Sequence, residues 1–299
     1  MHTLTILDGG MGRELARLGA PFKQPEWSAL AMMEAPEIVK EVHKSFIAAG
    51  SRVITTNSYS LVPFHIGEEV FKARAAQLAR DSARVANEAV AESGQAVRVA
   101  GSLAPLFGSY RADLYQPEQV DNIARPLINA LNDHVDLWLN ETQSLISESL
   151  AMKALVDEID TQKKPYWVSF TLEDAFETAE PCLRSGEAVA DAVLAMANAG
   201  VDAILFNCSQ PEIIADAIDV ANLVLTGLPR KIQIGAYANA FPPQPKDATA
   251  NEGLDELRAD LTPDSYLVWA KKWQQQGATL IGGCCGIGPD HIKALAQNL

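Results

Sequence analysis

The chain has 299 residues, 48% of them hydrophobic, which is enough for a large buried core and too much for a disordered protein. Its 38 acidic and 24 basic side chains leave a formal charge of −14, which repels phosphate backbones and argues against a nucleic-acid partner. No stretch supplies the about 18 uninterrupted apolar residues of a membrane helix; the most apolar region, 188–206, is broken by Asp191, Asn198 and Asp202.

From Met1 to Asp8 no basic segment leads into an apolar one, so no export signal is read and the expected location is the cytosol. Residues 4–7 form the first short apolar run. Pro36 then opens a helix with Ile38, Val39, Val42, Phe46 and Ile47 on one face, and Gly50 stops it before a second run at 52–56. Further runs follow at 97–100, 136–139, 166–170, 203–206, 232–236 and 279–281, eight in all. Each is near-continuously apolar rather than alternating, as strands buried on both faces are, and each gap has room for a helix. Pro211 and Pro289 open two more helices, and Gly50, Gly200 and Gly277 end three helices just before a strand. Eight strands alternating with helices predict a single (β/α)8 barrel over 1–299, of the TIM barrel type in the α/β class. An open doubly wound sheet is the alternative. Segments 107–116 and 241–261 read as insertions after strands, the second, with Pro242, Pro243 and Pro245, as an active-site lid.

In such a barrel the carboxyl ends of the strands converge on one mouth. The polar residues there are Asp8, Thr56 and Asn57, Ser102, Asn140 and Glu141, Thr171, Asn207 and Cys208, Tyr237 and Asn239, and the adjacent Cys284 and Cys285. Three of the four cysteines therefore fall at strand ends, with one strand between Cys208 and the pair. Three thiolates with an open fourth position suit a catalytic zinc ion. Gly282, Gly283 and Gly286 allow the tight turn that two neighbouring ligands need. Ordinary buried cysteines and a vicinal disulfide or redox couple are the competing readings. Cys182 is read as a spectator, and the Gly286-Ile287-Gly288 turn as a weaker candidate for a phosphate site.

The sequence resembles the homocysteine S-methyltransferase family over nearly its whole length. The likeness runs from Leu7-Asp8-Gly9-Gly10-Met11-Gly12 through Val53-Ile54-Thr55-Thr56-Asn57-Ser58-Tyr59, Gly101-Ser102, Asn140-Glu141-Thr142 and Trp167-Val168-Ser169-Phe170-Thr171 to Asn207-Cys208 and Gly282-Gly283-Cys284-Cys285-Gly286. The resemblance implies a zinc-dependent methyltransferase that makes methionine from homocysteine. Cys208, Cys284 and Cys285 are then the zinc ligands and act by activating the substrate thiol. Asp8 and Glu141 face the substrate ammonium, and the turn at Asn57, Ser58 and Tyr59 lies near its carboxylate. Gly9, Ser102, Asn207, Tyr237 and Asn239 are further substrate-lining candidates, each also suited to bonding loop backbone.

Tyr237-Ala238-Asn239 and the stretch 103–110 depart from the family pattern where the methyl donor would lie. The chain is too short for the added domains of cobalamin- or folate-dependent methionine synthases. The expected donor is therefore a sulfonium, S-methylmethionine or S-adenosylmethionine. A betaine-type donor, a selenohomocysteine or other thiol acceptor, and a thiol-redox or non-catalytic barrel that has kept the pocket remain open at this point.

Overall fold

Eight parallel strands form one sheet in the computed structural model of the chain, which describes residues 3–175, 180–245, 248 and 256–299. The strands are β1 (Thr5–Ile6), β2 (Val53–Thr55), β3 (Arg98–Leu103), β4 (Leu137–Gln143), β5 (Tyr166–Phe170), β6 (Ala203–Asn207), β7 (Gln233–Tyr237) and β8 (Leu280–Ile281). All eight fall on the apolar runs. Between β1 and β2 lie α1 (Met11–Arg17), α2 (Ser28–Glu34) and α3 (Pro36–Ala49). The later connections each carry one long helix: α4 (Pro63–Ser93), α5 (Val120–Leu131), α6 (Ile146–Ile159), α7 (Val189–Asn198), α8 (Pro211–Thr226) and α9 (Pro263–Gln275), with α10 (Pro289–Asn298) after β8. The glycines at the three similar helix-to-strand joins, Gly50, Gly200 and Gly277, have φ of 120°, 83° and 103°, a region that side chains with a Cβ rarely enter.

The strand order runs β1-β8-β7-β6-β5-β4-β3-β2, with every ladder parallel. Such an order is circular and excludes the doubly wound alternative, in which the sequence of neighbours reverses part-way. Among the described residues no ladder joins β1 to β2; other bonds close that seam. Arg52 N–H donates to Ile6 O at 2.8 Å, Ser51 Oγ to Leu7 O at 3.1 Å, and Thr55 N–H to the Asp8 carboxylate at 2.7 Å.

The middle of each strand is apolar because both faces are covered. Val53, Leu137, Leu139, Trp167, Leu205 and Leu280 fill the inside of the barrel, while their neighbours Ile54, Trp138, Val168, Ile204 and Ile281 pack outward with the helices. That alternation continues past the last apolar residues, so Glu141, two positions after Leu139, is on the inner register at the mouth. Strand β4 runs on to Gln143, beyond the expected end at 139, with a break in its pairing to β5 between Asn140 and Gln143. Of the expected 241–261 insertion, residues 246–247 and 249–255 lie outside the described residues.

Candidate metal and substrate site

Four backbone segments, those following β1, β6, β7 and β8, meet at the mouth and fix the cysteines. Cys208 follows β6 with φ of 48°, left-handed for a non-glycine residue, and its N–H donates to Tyr237 O at 3.4 Å. The turn after β8 is held from both sides. Gly283 N–H donates to Asp8 O at 3.0 Å, Cys284 N–H to Ala238 O at 2.8 Å, and Cys285 O accepts Ala240 N–H at 2.8 Å. Tyr266 closes the base of this turn, its hydroxyl donating to Gly282 O at 2.7 Å. A Cβ on Gly283 would overlap the buried Ile287 side chain, so the turn needs glycine there for a steric reason.

The result is a cluster in which the Cys208, Cys284 and Cys285 sulfurs all lie within 4.8 Å of one another. Cys208 and Cys284 are joined as a disulfide, with Cα atoms 5.8 Å apart. The vicinal disulfide within the adjacent pair is thus not what forms; the bonded partner of Cys284 is Cys208. Burial pushes the Cys285 thiol up to about 11, with Arg13 opposing the rise. Three sulfurs gathered on two rigid strand ends fit a soft divalent ion once the disulfide is reduced, because only the thiolate form ligates.

Asp8 and Glu141 share the cavity with this cluster. The Asp8 carboxylate accepts Thr55 N–H at 2.7 Å and Thr55 Oγ1–H at 3.2 Å, while burial and the nearby Glu141 charge push it up to about 7. Glu141 accepts Ser102 Oγ–H at 2.5 Å and Tyr237 O–H at 3.3 Å, and burial pushes it up to about 7 as well. Burial disfavours the charged form of both carboxyls, and a ligand ammonium beside them would restore it.

Of the sequence-predicted residues, Asp8, Gly9, Asn57, Tyr59, Glu141, Cys208, Tyr237, Cys284 and Cys285 line one cavity. Ser58, Ser102, Asn207 and Asn239 are not among its described lining residues, and each is engaged elsewhere. Ser58 Oγ–H donates to Ser102 O at 2.8 Å, and Ser102 reaches the site through Glu141. Asn207 accepts Ser169 Oγ–H at 2.7 Å and Thr142 N–H at 3.1 Å beneath the cavity floor. Asn239 Oδ1 accepts Phe241 N–H at 3.3 Å. Asn57 donates its side-chain amide to Ser28 O at 3.0 Å, and Tyr59 and Ser109 share a hydroxyl bond of 2.5 Å.

Arg13, Phe22, Trp27, Tyr110, Phe241 and Gln244 also line the cavity and were not singled out by name from the sequence. Phe22 and Trp27 come from the β1–β2 connection, where no insertion was expected. Tyr110, Phe241 and Gln244 belong to the loops expected to cover the donor. A buried ion pair ties these loops together. Arg184 Nη2 lies 2.9 Å from Asp174 Oδ1, both side chains 1% exposed, and the guanidinium sits 4.6 Å from the Tyr110 ring centroid. Arg184 also donates to Gln244 O at 3.2 Å, and Asp174 accepts Gln244 N–H at 3.1 Å.

The sequence model of the homocysteine S-methyltransferase family matches residues 5–299. The chain belongs to the homocysteine S-methyltransferase family. Homocysteine S-methyltransferase 1 of Zea mays is 30% identical over 98% of this chain and 94% of its own length. Homocysteine S-methyltransferase YbgG of Bacillus subtilis (strain 168) is 28% identical over 99% and 94%, and the selenocysteine methyltransferase of Astragalus bisulcatus 26% over 98% and 92%. The crystal structure of the metallated form of the Escherichia coli homocysteine methyltransferase MmuM is similar with a TM-score of 0.79 at 29% identity, covering 100% of this chain and 97% of that one. This methyltransferase thus has the barrel and the enzyme class read from its sequence: it transfers a methyl group to homocysteine. The metallated relative and the three-sulfur cluster together point to a metal site.

Proposed function

We propose that this methyltransferase carries zinc on Cys208, Cys284 and Cys285 and moves a methyl group from a small sulfonium donor to the homocysteine sulfur, giving methionine. The observation that carries the proposal is the meeting, in one cavity, of three sulfurs within 4.8 Å and two buried carboxyls pushed up to about 7.

Bound zinc would supply a Lewis acid that favours the homocysteine thiolate, the nucleophilic form of which a free thiol holds only a few per cent at pH 7. Asp8 and Glu141 accept the homocysteine ammonium, which replaces their protons as the neutralising charge. Ser102 and Tyr237 orient the Glu141 oxygens for that contact. The thiolate sulfur then attacks the methyl carbon of the donor; the new S–C bond forms as the old one breaks, and the bonding pair stays on the donor sulfur, which leaves neutral. That leaving group needs no proton. The protein's work is alignment of the two sulfurs, an effect worth up to roughly 7–11 kcal/mol in well-oriented systems. Trp27, Tyr110 and Phe241 offer ring faces suited to a cationic donor.

The test is to incubate reduced, zinc-loaded protein with homocysteine and, separately, S-methylmethionine, S-adenosylmethionine and betaine, and to measure methionine. Formation from a sulfonium and not from betaine supports the proposal; formation from betaine alone refutes its donor assignment. Selenocysteine in place of homocysteine measures the breadth of the acceptor site.

A further inference from the structure

Arg13 is the one permanent cation among the described residues that line the cavity, where Asp8, Glu141 and the cysteines are acidic. The backbone dictates its position. Helix α1 starts at Met11, directly after Asp8-Gly9-Gly10, and Gly10 N–H donates to Ile287 O at 2.9 Å. A Cβ on Gly10 would stand 2.5 Å from Cys284 O and 3.0 Å from Cys285 Cα, so this segment is pressed onto the cysteine turn. The first turn of α1 thereby carries Arg13 to the cavity wall, its guanidinium 5.8 Å from the centroid of the Phe241 ring.

A planar guanidinium on the cavity wall suits a carboxylate, which it can meet with two parallel N–H donors, and a zwitterionic sulfonium donor brings one. The groups proposed for the acceptor ammonium have partners on other strands, Asp8 at Thr55 of β2 and Glu141 at Ser102 of β3, whereas the Arg13 guanidinium packs with the loop after β7.

We propose that Arg13 binds the carboxylate of the methyl donor, so that the enzyme selects zwitterionic sulfonium donors over those lacking a free carboxylate. This inference rests on the methyl-transfer reading above. Its test is calorimetric titration of S-methylmethionine and of its carboxamide into the zinc-loaded wild type, R13M and R13K, with the homocysteine KM and methionine formation measured alongside. The wild type should bind the acid about 10- to 100-fold more tightly than the amide. In R13M that ratio should fall to near one, R13K should restore part of it, and the homocysteine KM should stay within about 3-fold in both. An undiminished ratio in R13M, equal or absent binding of acid and amide in the wild type, or a penalty on homocysteine in place of the donor would each overturn the assignment. Donor binding that follows Arg13 with no methionine formed contradicts the methyl-transfer reading and not the Arg13 contact.

Discussion

Asp8 joins β1 to Thr55 of β2 across the one seam of the barrel that no ladder spans, its carboxylate accepting both the backbone and the hydroxyl hydrogen of Thr55. One side chain therefore closes the barrel and faces the cavity. Two substitutions separate these roles. Asp8→Asn keeps an acceptor oxygen for Thr55 N–H but loses the charge; it should fold normally and raise the homocysteine KM by more than about 10-fold. Asp8→Ala leaves the buried Thr55 N–H unpaired and should in addition lower the unfolding free energy by about 1–3 kcal/mol. Denaturant unfolding and steady-state kinetics on both variants check the pair.

The ligand-free protein should lose stability as the pH rises through the weakly acidic range. Asp8, Glu141 and Glu148 are each pushed up to about 7 by burial, from ordinary values of 3.8 for the first and 4.5 for the other two. Between those limits the folded chain holds protons that the unfolded chain has released, so unfolding releases protons and stability falls from about pH 4 to about pH 7, then levels. Glu148→Gln, which can still accept Leu106 N–H, should flatten part of this slope. Homocysteine should oppose it, because its ammonium favours ionised Asp8 and Glu141. Thermal melts of wild type and variant between pH 4.5 and 8, with and without homocysteine, measure both effects.

Removing one ligand should abolish the metal site without unfolding the barrel. Cys208→Ala takes one sulfur from the cluster, and with it the link to Cys284, while backbone bonds still hold both chain segments. The variant should keep its circular dichroism spectrum, retain well under one zinc per chain by elemental analysis, and lose methyl transfer by more than about 100-fold. A zinc-loaded, active variant would remove this cysteine from the site.

The Arg184–Asp174 pair should act on donor and stability together. Asp174→Ala leaves a buried guanidinium without its carboxylate and should lower stability by about 3–5 kcal/mol. The pair also holds Tyr110 and Gln244, which line the cavity, so the surviving enzyme should show a raised donor KM with a smaller change for homocysteine. Kinetics with each substrate varied separately distinguish this from a uniform loss of activity.

Strands and cysteines were legible because each carries a local signal: a short run that is apolar on both faces, a glycine that ends a helix, an adjacent cysteine pair inside glycines. Asp8 and Glu141 were legible as polar residues at the carboxyl ends of strands, and their part in holding an ammonium was read from the family resemblance. Less visible were contacts made between distant loops. The Arg184–Asp174 pair of the β5–α7 connection meets Tyr110 and Gln244 only after the loops following β3 and β7 have converged on it, and nothing in the residues around Phe22 or Trp27 marks the β1–β2 connection as a cavity wall. Asn207 ends β6 as expected, yet its side chain bonds Ser169, Thr142 N–H and the Thr142 hydroxyl rather than the cavity, and Asn239, two residues past β7, spends its oxygen on Phe241 N–H.

X-ray absorption at the zinc edge of the reduced, metal-loaded protein reads the proposed sulfur shell itself. Three sulfur neighbours are expected in the resting enzyme and a fourth when homocysteine is added, with Cys208→Ala unable to give either spectrum. A zinc shell without sulfur, or one that homocysteine leaves unchanged, would contradict that proposal.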